Sequence, residues 1–462
     1  MSPAVPLLVL ALLGSGAAAP PPRLSAGEAV RLALARNPEL LTAGEAALTS
    51  EYAAAGVRAT YLPRIVPNLS QSGGDGPRSS SYGLTIEERT PFGPVLSLSG
   101  NVYRQSDLAP TSDTTATYRA TLSQPLLRGA DPAVSREPLR VASRAAESQR
   151  RTFELARQRT VVFVYQSLLS VIESEETLRV AEDAETRAER LLAFSEARFA
   201  AGSVSRLDVL RARQLRSQAS LSKSSSANAL ADARDALRRT LGLGPDADFC
   251  LDGSPQVPVA LPPLAEALEE VRERRLEAVE ARSLVEDAKA SLRVSRSALL
   301  PSLDGLLVYD RVGTGDGFSS ASRNAEGSLG FAFTSRYDVN VGPNLAQTRI
   351  AEVQLETRRR NALVLEEDLA REVSRAYRRL ATAETNLEIA ELSLADAELQ
   401  REVAQLRFEK GLSSNFDVVD ADTSLNDARL LAFRARREIV LATLDALFAS
   451  GRLLPQNFTE LP

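Results

Sequence analysis

The chain has no histidine, no tryptophan and one cysteine, Cys250. The missing histidines remove the commonest metal ligand and the commonest general base. A lone cysteine excludes an intrachain disulfide. No GxSxG, HExxH or CxxC phrase occurs, so a conventional triad or zinc site is unavailable. The carboxylate pairs Glu87/Glu88 and Glu366/Glu367 are adjacent in sequence and diverge. Cys250 reads as a buried or incidental thiol in a loop. The expectation is a protein that is not an enzyme and uses no cofactor or metal. Acids number 60 and bases 55, for a net charge of -5. That balance gives no basic face for nucleic acid. Beyond the N-terminus no stretch approaches the roughly 18 apolar residues of a membrane helix. If the chain spans a membrane, it must do so in a closed β-barrel.

Residues 1–19 read as a secretory signal. Leu7–Leu13 is a short apolar core, Ser15–Ala19 are small, and Pro20–Pro22 follow.

Proline and glycine are absent where helices need them to be. No proline lies between Pro138 and Pro245, or between Pro343 and Pro455. Gly202 is the only glycine between Gly129 and Gly242, and Gly411 the only one between Gly342 and Gly451. Each span reads as helix, break, helix. The first helix of each, near Asp131–Phe199 and Leu345–Phe408, would reach roughly 100 Å. That length suits a helical barrel or coiled coil. Leu387, Ala390, Leu394 and Ala397 form one seam, and Leu392, Ala395, Leu399 and Leu406 a second. Two seams predict a neighbour on each side.

Ser25–Thr60 and Pro263–Ala298 are the shorter helical segments ahead of each half. Ser25 and Glu28 form a capping box, and Asn37-Pro38 marks a bend. After Pro63 and Pro301 the period changes to two. Leu96, Leu98 and Val102 share a face, as do Tyr118, Ala120 and Leu122, then Leu307 and Tyr309, then Leu329, Phe331 and Phe333. The chain is therefore a tandem duplication with about four strands, too few for a barrel without oligomerisation. The prolines are 238 residues apart and the glycines 209, so the first strand region carries an extra loop or strand segment.

"LSAGEAVRLALARNPEL", "YLPRI", "LLPSL", "LSQPLLRGAD", "RFAAGSVSRLDVL" and "RFEKGLSSNFDVV" together resemble the TolC-type outer-membrane efflux proteins over nearly the whole mature chain. The resemblance implies an α+β membrane protein. Three copies would form a 12-stranded outer-membrane β-barrel, four strands per chain, continuous with a 12-helix periplasmic α-barrel. It implies a homotrimer in the outer membrane of a Gram-negative-type cell, with a long periplasmic extension. The partners implied are a periplasmic adaptor, an inner-membrane transporter and outer-membrane lipid. Its divisions are 20–62 and 251–299 for linker and leading helices, 63–128 and 300–343 for strands, 129–250 and 344–451 for the helix hairpins, and 452–462 for the tail.

On this resemblance Gly202, Ser205, Leu207, Asp208, Gly411, Ser414 and Phe416 belong to hairpin tips that meet the adaptor. Val209 and Val418 would pack the same tips or face it. Capping alone also accounts for Asp208. Asp417 and Asp420 would ring the tunnel entrance, with a solvated surface pair as the alternative. The tyrosine and arginine that close the entrance of the best-known member are here Phe408 and Ser413, which cannot make those bonds. A poreless coiled-coil scaffold is the competing reading. It leaves the alternating strands unexplained.

Overall fold

A computed structural model describes residues 23–73, 78–106, 112–202, 204–252, 257, 259–410, 412–413 and 415–459. The signal segment 1–19 lies outside the described residues.

The duplication appears in the helix lengths. The first half has strand β1 (Arg23–Leu24) and helices α1 (Ala26–Arg36) and α2 (Pro38–Ala59). Strands β2 (Arg64–Ser72), β3 (Arg78–Arg89), β4 (Val95–Ser106) and β5 (Ser112–Pro125) follow. Then come α3 (Pro132–Ser135), α4 (Glu137–Ala200), α5 (Arg206–Leu241) and β6 (Cys250–Leu251). The second half has α6 (Leu264–Arg274), α7 (Leu276–Ser297), β7 (Ser302–Gly315), α8 (Phe318–Arg323), β8 (Glu326–Arg336), α9 (Gly342–Glu409) and α10 (Asn415–Ala449). Helices α1 and α6 both have 11 residues, and α2 and α7 both have 22. The long helices α4 and α9 have 64 and 68.

The expectation of four strands is corrected. The described strands β2, β3, β4, β5, β7 and β8 form one six-stranded antiparallel sheet in that order. The extra residues of the first half are the hairpin β2–β3. Its alternation is interrupted on the apolar face by Pro67 and Gln71 in β2 and by Ser80 and Glu88 in β3, which hides it from a hydrophobic pattern. Cys250 is also corrected: it is exposed, and it pairs with Arg23 in a short parallel ladder rather than lying in a loop.

Register places side chains in rows across the sheet. Ile65, Ile86, Leu98, Ala120, Tyr309 and Leu329 are consecutive cross-strand partners on one face. The row offset by one residue, on the other face, reads Val66, Thr85, Ser99, Arg119, Asp310 and Ser328. One face is apolar and the other largely polar, the division expected of a membrane barrel. Arg119 and Asp310 pair on the polar face, with nitrogen–oxygen distances of 2.5 and 3.2 Å.

The helices form a wall below the sheet. Near the sheet its order is α2, α4, α7, α9, and farther away it is α5, α4, α10, α9. Small residues at seven-residue intervals let the backbones approach. Ala212, Ala219 and Ser226 are buried on α5, Ala376, Ala383, Ala390 and Ala397 on α9, and Ala421, Ala428 and Ala435 on α10. A strict seven-residue repeat imposes a left-handed supercoil. The second seam of α9 has no cover among the described residues: Leu392, Leu399 and Leu406 are exposed.

The largest core joins both halves at the level of α1. Val30, Val161, Val164, Leu168, Leu237, Leu444 and Phe458 are buried there around Tyr165. Burial pushes the Tyr165 hydroxyl up to about 12.

Both leading segments break at an elbow that caps a returning helix. Asn37 accepts from Leu40 N–H and donates from Nδ2 to the Thr240 carbonyl at 2.8 Å. In the second half buried Arg275 donates to the Phe448 and Ala449 carbonyls at 3.1 and 3.2 Å, and it pairs with Glu277 and Glu372. The segment expected as one helix over Pro263–Ala298 is therefore two. Gly242 ends α5 at φ +66, and a Cβ there would lie 2.3 Å from the Arg36 carbonyl oxygen. Only glycine closes that elbow without displacement.

Candidate functional site: the hairpin tips

Helix α4 stops because Gly202 turns left-handed, at φ +71, with its N–H bonded to the Phe199 carbonyl. Ser205 then starts α5. Its Oγ accepts from Asp208 N–H, and Asp208 accepts from the Ser205 N–H and hydroxyl at 3.1 and 2.7 Å. Those bonds hold the Asp208 carboxyl below its ordinary value. The aspartate is a cap in this geometry.

At the second tip α9 ends at Glu409, and the Leu412 N–H bonds the Arg407 carbonyl at 2.8 Å. Gly411 and Ser414 lie outside the described residues. Asp417 and Asp420 are both exposed on the first turns of α10, three residues apart. They share one side of the helix.

The apolar tip residues divide the same way in both halves. Val209 and Val418 are each 9% exposed and pack inward. Leu207 and Phe416, two residues earlier, are 55% and 63% exposed. Leu210 and Leu412 are exposed as well, so each tip presents more than one large apolar side chain outward.

Phe408 is buried beneath the second tip. Its ring meets the edge of Phe194, centroids 5.2 Å apart, and the Arg198 guanidinium lies over both rings. Phe408 thus joins the two hairpins by packing. The Ser413 hydroxyl is shielded and has no hydrogen-bond partner among the described residues.

A charged clasp adjoins this aromatic group. Asp422 of α10 sits 3.1 Å from Arg187 of α4 and 3.5 Å from Arg401 of α9. Arg187 also donates to Asn426 at 2.6 Å. Burial lowers the Arg187 guanidinium below its usual value, against the pull of Asp422. A cavity of about 230 Å³ lies between these groups and Phe408. Sequence reasoning missed Asp422, Arg187, Arg401, Phe194 and Arg198. The available signal was an acid in the buried stripe Val418, Ala421, Asp422, Leu425. The clasp can hold one hairpin against the other near the tips, alongside the α10–α4 pairs that Arg434 and Arg437 make with Glu173 farther along. No described group of histidine, cysteine and carboxylate side chains forms a metal site.

An open sheet with one apolar face, joined end-on to a duplicated helical wall, is the protomer architecture of an outer-membrane channel. A family model described as outer membrane efflux protein matches residues 29–243 and 267–450, and the chain belongs to that family. No curated protein matches it by sequence. Among solved structures it is similar to the CmeC outer membrane channel of Campylobacter jejuni, with 14% identity over 92% of this chain and 85% of that one and a TM-score of 0.71. It is similar to VceC of Vibrio cholerae at 15% identity, covering 92% and 96%, with a TM-score of 0.70. It is also similar to the open state of the MtrE channel of Neisseria gonorrhoeae at 18% identity, covering 92% and 88%, with a TM-score of 0.66. At these identities the likeness establishes the fold.

Proposed function

We propose that the protein is the outer-membrane exit duct of a tripartite efflux pump or type I secretion system. Three copies form a passive conduit across the outer membrane and periplasm. The observation that carries this reading is the single apolar face running through every strand of the sheet, joined to a wall roughly 100 Å long. A poreless scaffold has no use for that face. β2 and β4 end at Ser72 and Ser106, and β7 at Gly315, away from the helices, which makes that end the cell exterior. The tips then lie deep in the periplasm. Leu207 and Phe416 meet a periplasmic adaptor there, the first on a turn shaped by Gly202, Ser205 and Asp208, and Gly411 and Ser414 belong to the same docking region. Asp417 and Asp420 line the entrance, where threefold symmetry multiplies them into an acidic ring that favours cations. Phe408 closes the wall by packing, beside Ser413. Energy comes from an inner-membrane transporter.

The test is thiol labelling of intact cells in a Cys250→Ser background with a membrane-impermeant maleimide. Ser319→Cys, in the β7–β8 connection, reacts from outside. Leu207→Cys reacts only after the outer membrane is permeabilised. Equal labelling of both positions in intact cells refutes the proposed placement.

A further inference from the structure

The sheet has two open edges, β2 and β8. Every residue of β8 is exposed, and in β2 every residue except half-buried Val66. β8 carries no lysine or proline and alternates Leu329, Phe331 and Phe333, so nothing guards it against pairing. In β2, Pro67 is the one residue without an N–H, which costs a junction one bond at most. Six strands alternate in direction, so β8 of one copy runs antiparallel to β2 of the next without a break in the ladder.

The helical wall ends on the same sides. Near the sheet its outer members are α2 and α9. α2 leads directly into β2, and β8 leads into α9. A junction that seats exposed Leu392, Leu399 and Leu406 on a neighbour's helices also brings β8 to that neighbour's β2.

We infer that β8 pairs with β2 of a second copy, and that three copies close an 18-stranded barrel. The inference rests on the trimeric duct proposed above. The hairpin β2–β3 is a full wall segment. Its Ile65 and Ile86 lie in the row of Leu98 and Tyr309, and its Leu69, Tyr82 and Leu84 lie in neighbouring rows of the same lipid-facing face. An appendage outside the barrel would need neither that register nor that face.

The dimensions agree. Eighteen strands about 4.8 Å apart, tilted about 40°, give a circumference of about 110 Å. Twelve helices at 8–10 Å spacing give roughly 100–120 Å. Twelve strands at the same tilt give only about 75 Å. The larger sheet seats on the helical wall without narrowing, and the backbone lumen is about 35 Å wide rather than about 24 Å. Barrels of 16–18 strands leave an aqueous channel. The exit is thus matched to the tunnel and admits bulky cargo.

Electron cryomicroscopy of the wild-type oligomer in a lipid nanodisc tests this. The expected section at the level of Leu98 and Tyr309 has threefold symmetry and eighteen strands, with β2 between β3 and the neighbour's β8. A threefold particle with twelve strands and the β2–β3 hairpin off the ring overturns the inference and leaves the trimeric duct intact. A particle without threefold symmetry overturns the duct reading as well.

Discussion

Gly242 and Gly202 share a left-handed backbone and differ in their surroundings. That makes them a matched pair. At Gly202, φ is +71 and a Cβ would meet nothing within 4 Å. Alanine there adds only the left-handed penalty, about 1 kcal/mol. At Gly242, φ is +66 and a Cβ would sit 2.3 Å from the Arg36 carbonyl oxygen and 2.7 Å from its carbon. A backbone carbonyl cannot swing away like a side chain, so the α1–α2 elbow must move. That movement strains two bonds of Asn37: its donation to Thr240 and its cap of Leu40. Each is worth about 1 kcal/mol. Gly242→Ala should cost about 3–4 kcal/mol in all, some 2–3 kcal/mol more than Gly202→Ala. Urea titration of the purified oligomers, followed by helical circular dichroism, measures the difference. Equal losses from the two substitutions would refute the steric argument and leave only the backbone penalty.

Other consequences follow from the tips. Asp422→Asn should lower the opening free energy of the α4–α10 contact by about 2 kcal/mol, since it leaves Arg187 and Arg401 facing each other in a mostly dry site. Amide exchange at the start of α10 then speeds up about 30-fold. Asp183→Asn removes the wetter 3.8 Å pair with Arg429 and should change exchange by less than about 0.5 kcal/mol equivalent. If the two variants match, the clasp does not hold the hairpins. The cap at Asp208 has a lowered carboxyl pKa, so its stabilisation is complete above the ordinary carboxylate range and is lost as pH falls through the lowered value. Protection at the start of α5, taken relative to the intrinsic exchange rate at each pH, should therefore fall on acidification, and Asp208→Asn should flatten that dependence.

Glycine and proline punctuation made the duplication, the long helices and the tip turns legible, because each break has a local cause. Ser25–Glu28 announces its own capping box. The elbow at Arg275 was not legible. It has no proline, and its cause is a pair of carbonyls more than 170 residues away. The β2–β3 hairpin was hidden because membrane strands need only alternate positions to be apolar, and Pro67, Gln71, Ser80 and Glu88 interrupt even those. The difference of 29 residues between the two repeat spacings pointed to the first strand region, but left open whether a longer loop or an extra strand segment filled it. At the tips, exposed Leu207 and Phe416 and buried Val209 and Val418 follow from helix phase. Helix phase places Asp422 in a buried stripe, but its partners come from two other helices and are not legible that way.

The central claim is a conducting tube with an acidic entrance. Its most direct test is single-channel recording of the purified protein in planar bilayers, wild type beside an Asp417→Ala/Asp420→Ala double variant. The account predicts discrete, cation-selective steps whose selectivity weakens in the double variant. Steps from both proteins with identical selectivity would contradict the acidic entrance. Absence of steps from wild type, from the double variant and from Asp422→Asn alike would contradict the conduit itself.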